Sequence, residues 1–201
     1  MPGAPDLVLA STSPYRRELL ARLGLPFRTR APACDEAAVK VRFLGAGVPL
    51  GPSRLAVELA RAKAESLRDA EPGAALLGSD QVAAIGDTIL GKPGTAAVAA
   101  EQLALLAGRT HVLVTAVALL YQGQLHEHVD VTRLSMRPLS PEQIERYLAA
   151  DAPLDCAGSY RLEARGIALF ERIESADHTA IIGLPLIAVT SMLAAIGCPI
   201  P

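Results

Sequence analysis

The chain has 201 residues, of which 51% are hydrophobic and 20% are charged, and its formal net charge is −2. A chain of this size can bury a full core, as one large domain or two small ones. The near-neutral charge argues against binding to long nucleic acid, which normally requires a basic excess. Three widely spaced cysteines, Cys34, Cys156 and Cys198, form neither a disulfide framework nor a zinc motif, which favours a reducing cytosol.

The N-terminal segment predicts a strand, a loop and a capped helix. Residues 7–10 are apolar, and helical spacing begins after Ser13, a good N-cap, and Pro14, which suits the first helical position. Arg16 and Arg17 lie in the first turn, where the helix dipole disfavours cations, so an anion is expected there. We interpret the segment as a phosphate-binding strand–loop–helix that lacks the glycine-rich motif; the alternative is an ordinary capped helix with solvated arginines.

The next segments contain the main candidates for acidic chemistry. After a short strand at 26–30, residues 31–51 read as an irregular stretch, which often means a functional loop. A helix is predicted from Ser53 to about Ala70, followed by a buried strand that ends at Asp80. Ligand sites of α/β sheets gather at such strand ends, so we favour a functional role for Asp80 over that of a solvated turn aspartate.

The remainder of the chain mixes helices with paired strands. The first predicted elements are a hairpin of Val82–Ile85 and Thr88–Leu90 and a helix that is capped by Thr95 and ends at residue 106. Two strands follow, a central one at 110–121 and a more exposed one at 125–137, and then a helix that is capped by Ser140 and ends at residue 150. The last elements are a polar loop at 158–166, a strand at 167–173, a buried strand at 180–182 and a helix that ends at about residue 196. Hairpins among helices predict an α/β fold with a mixed twisted sheet flanked by helices.

Neither end of the chain reads as a membrane segment. The first residues show no basic region and no signal-peptide core. The tail from Thr179 carries no charge, but it contains Gly183, Pro185 and Gly197, and its periodic part is shorter than a membrane span requires. We therefore expect a buried C-terminal helix, with a membrane-tethered protein as the alternative.

Two lysines are notable because the chain uses arginine 16 times and lysine only three times. Lys63 and Lys92 lie next to candidate site segments, and a lysine is a compact charge suited to a single phosphate oxygen, although chance could place both there. Asp35 and Glu36 could add a second carboxylate to a Mg²⁺ that also binds substrate phosphates; such a pair is otherwise an ordinary loop charge.

Other catalytic arrangements lack essential members. His126 and His128 share one face of a strand, but no third metal ligand lies at a suitable spacing. The chain has neither a G-x-S-x-G elbow nor a C-x-x-C motif.

Taken together, these segments resemble the Maf family of nucleotide pyrophosphatases. The matching pieces, in the family's order and over nearly the whole chain, are Ser11–Leu20, Asp35-Glu36, Leu59–Ala64, Gly78–Gln81, Gly91–Pro93, Gly108–His111, Ala157–Tyr160 with Glu163, and Ile182–Leu186. Ser175 stands where the family commonly has glycine.

The resemblance implies a single mixed α/β domain over residues 1–201, with two lobes around a central cleft, that is usually dimeric. It implies hydrolysis of a nucleoside triphosphate to the monophosphate and pyrophosphate with a divalent metal, Mg²⁺ or Mn²⁺. Asp80 is the implied proton acceptor. The residues implied around the phosphates and the metal are Ser11, Arg16, Lys63, Lys92 and Glu36, with Asp80 also at the metal.

Three positions indicate the subgroup. Members that act on unmodified pyrimidine nucleotides tend to carry arginine, threonine and glutamine where this chain has Tyr15, Gln81 and Glu163, and the pattern here resembles the subgroup that acts on 7-methyl-GTP. N7-methylation makes the purine cationic, and an aromatic face attracts a cation by about 0.5–2 kcal/mol. A carboxylate at Glu163 can accept the guanine N1–H and N2–H and offset that charge.

The resulting hypothesis is a cytoplasmic, homodimeric, metal-dependent pyrophosphatase acting on 7-methyl-GTP, with no nucleic acid polymer and no membrane among its partners. Its closest alternative is the same chemistry on dTTP or UTP. The alternative from another class is a non-catalytic nucleotide-binding regulator of cell division.

Overall fold

The computed structural model describes residues 5–45 and 51–200. Its strands are β1 (Leu7–Ala10), β2 (Arg28–Arg30), β3 (Ala75–Ile85), β4 (Thr88–Leu90), β5 (Thr110–Tyr121), β6 (Gln124–Met136) and β7 (Phe170–Glu174). Its α-helices are α1 (Pro14–Ala21), α2 (Glu36–Gly45), α3 (Gly51–Glu65), α4 (Ala96–Leu106), α5 (Pro141–Asp151), α6 (His178–Ile182) and α7 (Leu186–Ala195). Short 3-10 helices cover Ala157–Ser159 and Arg165–Leu169.

The strands form one mixed sheet, which confirms the predicted fold class. Its order is β2-β1-β3-β5-β6-β7, and β4 pairs with β3 outside this path. β1 is parallel to both β2 and β3, whereas β3–β4 and β6–β7 are antiparallel. Parallel strands covered on both faces are apolar throughout, and all four residues of β1 are buried.

The Cα positions divide the chain into two compact units. Unit 1 comprises Met1–Asp80, Thr115–Asp130 and Asp177–Pro201, and unit 2 comprises Gln81–Val114 and Val131–Ala176. Unit 1 contains a core in which leucines of β1 and α1 pack with β3, β5 and α7. Each fully buried leucine contributes roughly 1.5–3 kcal/mol, so this core fixes the part of β3 that leads to Asp80.

Most predicted helix starts are confirmed by their caps. The Ser13 side chain accepts a hydrogen bond from the Arg16 N–H, and that of Thr95 accepts one from Val98. Ser140 forms a full capping box with Gln143. The hairpin of β3 and β4 is also confirmed, with Ile85 opposite Thr88.

The irregular stretch predicted at 31–51 is wrong, because α2 begins at Glu36 and α3 begins at Gly51. Asp35 caps α2 by accepting a hydrogen bond from the Ala38 N–H at 3.0 Å. A loop was predicted because this stretch contains three glycines and two prolines, but most of them lie outside the α2 segment. Residues 46–50 lie outside the described residues.

The strand predicted at 180–182 is also wrong, because these residues belong to α6, capped by Asp177. A short apolar run has no periodicity that separates a strand from a buried helical turn. Two boundaries also shift: α3 ends at Glu65, and β7 begins at Phe170 after a 3-10 turn. The predicted strand end at Asp80 is wrong, because β3 continues through Asp80 to Ile85 and joins the hairpin without a break. No α-helix in the described part of the chain is both long enough and apolar enough to cross a membrane.

Candidate active site

In unit 1, a buried lysine contacts two carboxylates. Lys63 on α3 donates to Asp80 Oδ1 at 2.6 Å, and its Nζ lies 3.1 Å from Glu36 Oε1. The side chains of Lys63 and Asp80 are only 7% and 11% exposed, whereas that of Glu36 is 43% exposed. Because both acids contact one ammonium, their oxygens can be no further apart than the sum of these two distances. The three predicted site residues therefore form one cluster.

A glycine in β3 permits this close approach. A Cβ placed on Gly78 would clash with the Ala60 carbonyl and would lie 2.8 Å from the Ala64 nitrogen, both on the backbone of α3. The helix can therefore pack directly against the strand only where the strand has no side chain. This contact brings Lys63 next to Asp80, two residues further along the strand.

The Arg16 side chain is held by a backbone carbonyl between α6 and α7. Its Nε donates to the Gly183 carbonyl at 2.9 Å, and the Ser79 hydroxyl donates to the same oxygen at 2.9 Å. Burial lowers the pKa of the Arg16 guanidinium, against the opposing effect of the Asp80 and Glu36 carboxylates. Arg16 thus belongs electrostatically to the cluster of Lys63, Asp80 and Glu36.

The residues between the end of β1 and the first turn of α1 differ in burial. Ser11 is buried, and its hydroxyl accepts a hydrogen bond from the Ser13 N–H at 3.1 Å. Arg17 is exposed, as the ordinary capped-helix interpretation expects, whereas Arg16 is half-buried and interacts electrostatically with the Asp80 and Glu36 carboxylates. Tyr15, the residue before Arg16 in the first turn of α1, is half-buried.

The other predicted site residues belong to unit 2. Gln81 follows Asp80 in β3 and is half-buried, and Lys92 is exposed in the loop after β4. Glu163 lies 3.9 Å from Arg161 Nε, with a side chain that is 30% exposed. Burial raises the pKa of Glu163, and the Asp155 and Asp151 carboxylates raise it further, while a backbone hydrogen bond and Arg161 lower it.

Sequence reasoning missed Asp177, which fixes the turn that holds Arg16. Asp177 accepts hydrogen bonds from the Thr179 N–H and hydroxyl at 2.8 and 2.6 Å, and from the Ile187 N–H at 2.8 Å. Burial raises the pKa of Asp177, but these bonds outweigh it and leave the pKa lowered. The network fixes the turn between α6 and α7, whose Gly183 carbonyl receives Arg16. The only sequence signal was an aspartate two residues before a threonine, which is typical of a cap.

The donor set of unit 1 fits a metal that is shared with substrate. Mg²⁺ is typically bound by one or two carboxylates together with substrate phosphates and water, and Asp80 and Glu36 provide two adjacent carboxylates. Within residues 5–45 and 51–200, no group of three or more His, Cys, Asp or Glu side chains forms an all-protein metal site. The chemistry of the residues therefore suits a hard cation that arrives with a polyphosphate.

Comparison with known families decides the relationship. The family described as Maf-like protein matches residues 6–196. The chain belongs to this family. Among curated members, the chain is 46% identical to a protein named 7-methyl-GTP pyrophosphatase from Xanthomonas oryzae pv. oryzae (strain MAFF 311018), over 98% of this chain and 100% of that protein.

Two further Maf-family relatives carry the same name. The relative from Pseudomonas putida is 45% identical, over 97% of this chain and 98% of its own length. The relative from Bdellovibrio bacteriovorus is 43% identical, over 94% of this chain and 95% of its own length. The similarity thus extends over both compact units of the Maf-family chain.

Proposed function

We propose that this Maf-family chain hydrolyses 7-methyl-GTP to 7-methyl-GMP and pyrophosphate. One observation carries the proposal: Lys63 joins the Asp80 and Glu36 carboxylates at 2.6 and 3.1 Å in a largely buried centre. Such a centre combines a proton acceptor, a cation for phosphate oxygens and two ligands for a hard metal. The names of the relatives over nearly the full length of the chain support the choice of substrate.

The chemistry is the cleavage of the anhydride between the α and β phosphates. A water oxygen forms a bond to phosphorus, the bridging oxygen leaves with its electron pair, and the water proton passes to the Asp80 carboxylate. Little covalent chemistry is required of the protein, because phosphoryl transfer depends mainly on positioning and charge stabilisation. A divalent cation held by Asp80 and Glu36 would supply charge neutralisation and acidify a water.

Each basic residue has a distinct role in this proposal. Arg16 and Lys63 are directed by fixed partners, so their charges are oriented before the substrate binds. The Ser11 hydroxyl, whose oxygen accepts from the Ser13 N–H, can donate its own proton to a phosphate oxygen. Lys92, which is exposed and on a flexible stem, neutralises a further phosphate charge.

Selection of the base is assigned to Tyr15, Gln81 and Glu163. The Tyr15 ring offers a face to the cationic 7-methylguanine. Glu163 accepts from the guanine N1–H and N2–H groups and carries the compensating negative charge. A glutamine at this position would supply no such charge, which is why Glu163 favours the methylated purine over dTTP and UTP.

A substrate panel tests the proposal. Release of pyrophosphate is measured from 7-methyl-GTP, GTP, dTTP and UTP, each with Mg²⁺ and with Mn²⁺. We expect the highest kcat/KM for 7-methyl-GTP, and activity that is lost on chelation of the metal. A preference for dTTP or UTP would assign the chain to the pyrimidine-specific chemistry, and binding without pyrophosphate release from any of the four would favour a non-catalytic regulator.

The homodimer is proposed on the same family grounds and is tested separately. Light scattering coupled to size-exclusion chromatography should give a mass of twice 21.0 kDa. A mass of one chain at micromolar concentration would contradict it.

A further inference from the structure

One side chain in unit 2 bridges the two segments to which the proposed function assigns substrate contacts. Gln102, on α4, donates from Nε2 to the Gly91 carbonyl at 3.1 Å. Its Oε1 accepts from the Ser159 hydroxyl at 2.6 Å. Gly91 directly precedes Lys92, and Ser159 lies four residues before Glu163. A single amide group therefore links the loop that carries the phosphate-binding lysine to the loop that leads to the base-selecting carboxylate.

The Ser159 end of this bridge is conformationally restricted. Ser159 is completely buried and has a φ of +63°, a left-handed conformation that is unfavourable for a non-glycine residue. Gly158 before it also has a positive φ, and a Cβ there would lie 2.8 Å from the Tyr160 ring. The Ser159 N–H donates to the Cys156 carbonyl at 3.1 Å, so the direction of the Ser159 hydroxyl is set by its surroundings.

The Gly91 end is restricted by a second link between the same segments. Two residues after Lys92, the Gly94 N–H donates to the Leu154 carbonyl at 3.0 Å, within the chain that leads to Ser159. Together with the Gln102 bridge, this bond ties the two segments at two points. Gln102 is the link nearer to Lys92 and to Ser159, and it is the one that depends on the identity of a side chain.

Only a planar amide of this length satisfies both ends. A glutamate at 102 would keep an acceptor for Ser159 but would have no donor for the Gly91 carbonyl. A leucine would keep the approximate shape and lose both hydrogen bonds. Loss of one partner leaves the other polar group unsatisfied, which is destabilising where the group is buried.

We propose that Gln102 is a positioning residue that sets the spacing between Lys92 and Glu163, and hence between the phosphate and base contacts of the substrate. The inference rests on the proposed function. In this role Gln102 does not touch the substrate. Its role is to couple recognition of the base to catalysis, because a base that is held correctly places the polyphosphate for attack.

The test compares Gln102→Leu with Glu101→Leu, a matched control at an exposed position on the same helix. Steady-state kinetics are measured with 7-methyl-GTP and GTP, and thermal unfolding is followed in parallel. We expect Gln102→Leu to lower kcat/KM for 7-methyl-GTP about tenfold and to lower the preference over GTP by a similar factor, corresponding to about 1.4 kcal/mol. Glu101→Leu should change neither.

A double-mutant cycle separates positioning from a general loss of structure. Ser159→Ala removes one arm of the bridge, so Gln102→Leu in the Ser159→Ala background should reduce the preference by much less than it does alone. Fully additive effects, or an unchanged preference in Gln102→Leu, would overturn the positioning role while leaving the proposed function intact. If the wild-type chain releases no pyrophosphate from any triphosphate, the proposed function fails, and this inference fails with it.

Discussion

The charged candidate site residues of the two compact units differ in how far they are exposed. In unit 1, Lys63 and Asp80 are 7% and 11% exposed and lie 2.6 Å apart. In unit 2, Lys92 is exposed, and Glu163 keeps 30% exposure at 3.9 Å from Arg161. A buried ion pair is fixed before any substrate arrives, whereas exposed charges are free to adapt and are worth less to stability. Under the proposed function, the fixed pair of unit 1 serves bond breaking, and Glu163 of unit 2 contributes to the choice of substrate.

The largest loss of stability is expected from breaking the ion pair of unit 1. Lys63→Met leaves Asp80 and Glu36 without their shared ammonium, and removing one partner of a buried pair typically costs about 3–5 kcal/mol of unfolding free energy. We also expect kcat for 7-methyl-GTP to fall by about 10²-fold or more. Chemical denaturation and pyrophosphate release measure the two effects, and Lys40→Met, at an exposed lysine, is the matched control.

The contact between α3 and β3 provides the next test of this difference. Gly78→Ala places a Cβ against the backbone of α3, so the helix must move away and carry Lys63 from Asp80. We expect a loss of about 1–3 kcal/mol of unfolding free energy and a lower kcat with little change in KM. Gly91→Ala, where a Cβ has open space, should leave stability nearly unchanged. Equal losses in the two variants would contradict the role of Gly78.

A change in unit 2 should alter choice more than rate. Glu163→Gln removes the charge that compensates 7-methylguanine, so kcat/KM for 7-methyl-GTP should fall roughly tenfold relative to that for UTP, about 1.4 kcal/mol. Glu171→Gln, at an exposed position of β7, is the control. An unaltered preference in Glu163→Gln would refute the assigned role.

The smallest effect concerns a buried histidine of unit 2. His111 is 2% exposed, its Nε2 lies 2.9 Å from the Tyr160 hydroxyl, and burial lowers its pKa to about 4. In the unfolded chain the pKa of His111 is near 6.5, so the unfolded state binds a proton at His111 more readily than the folded state does. The contribution of His111 to stability is present above pH 6.5 and is lost as the pH falls from 6.5 to 4. His111→Gln should flatten the pH dependence of unfolding in this window, and an equal slope in both proteins would contradict the assignment.

Local signals in the sequence predicted the elements that frame the site but not the contacts within it. Ser13 and Pro14 marked the start of α1, and the buried run before Asp80 marked a strand, although that strand continues to Ile85. The pairing of Lys63 with Asp80 depends on α3 packing against Gly78, a long-range contact that no local pattern contains. The resemblance to the Maf family, rather than residue spacing, brought these residues together in advance.

The two wrong elements have a shared cause. Both α2 and α6 begin at an aspartate cap, Asp35 and Asp177, and neither aspartate was interpreted as a cap from the sequence. Asp35 was interpreted as a candidate for metal binding, whereas its side chain caps α2. The role of the Gly183 carbonyl could not be predicted at all, because a backbone acceptor leaves no mark in the sequence.

The central claim is that the carboxylate of Asp80 accepts the proton during anhydride hydrolysis. The most direct measurement is kcat for pyrophosphate release from saturating 7-methyl-GTP in Asp80→Asn, compared with Asp87→Asn in the exposed turn of the β3–β4 hairpin. Asparagine still accepts a hydrogen bond from Lys63 but cannot take the proton, so we expect kcat to fall about 10²–10⁴-fold while Asp87→Asn stays near wild type. An Asp80→Asn protein that is folded and retains wild-type kcat would contradict the claim.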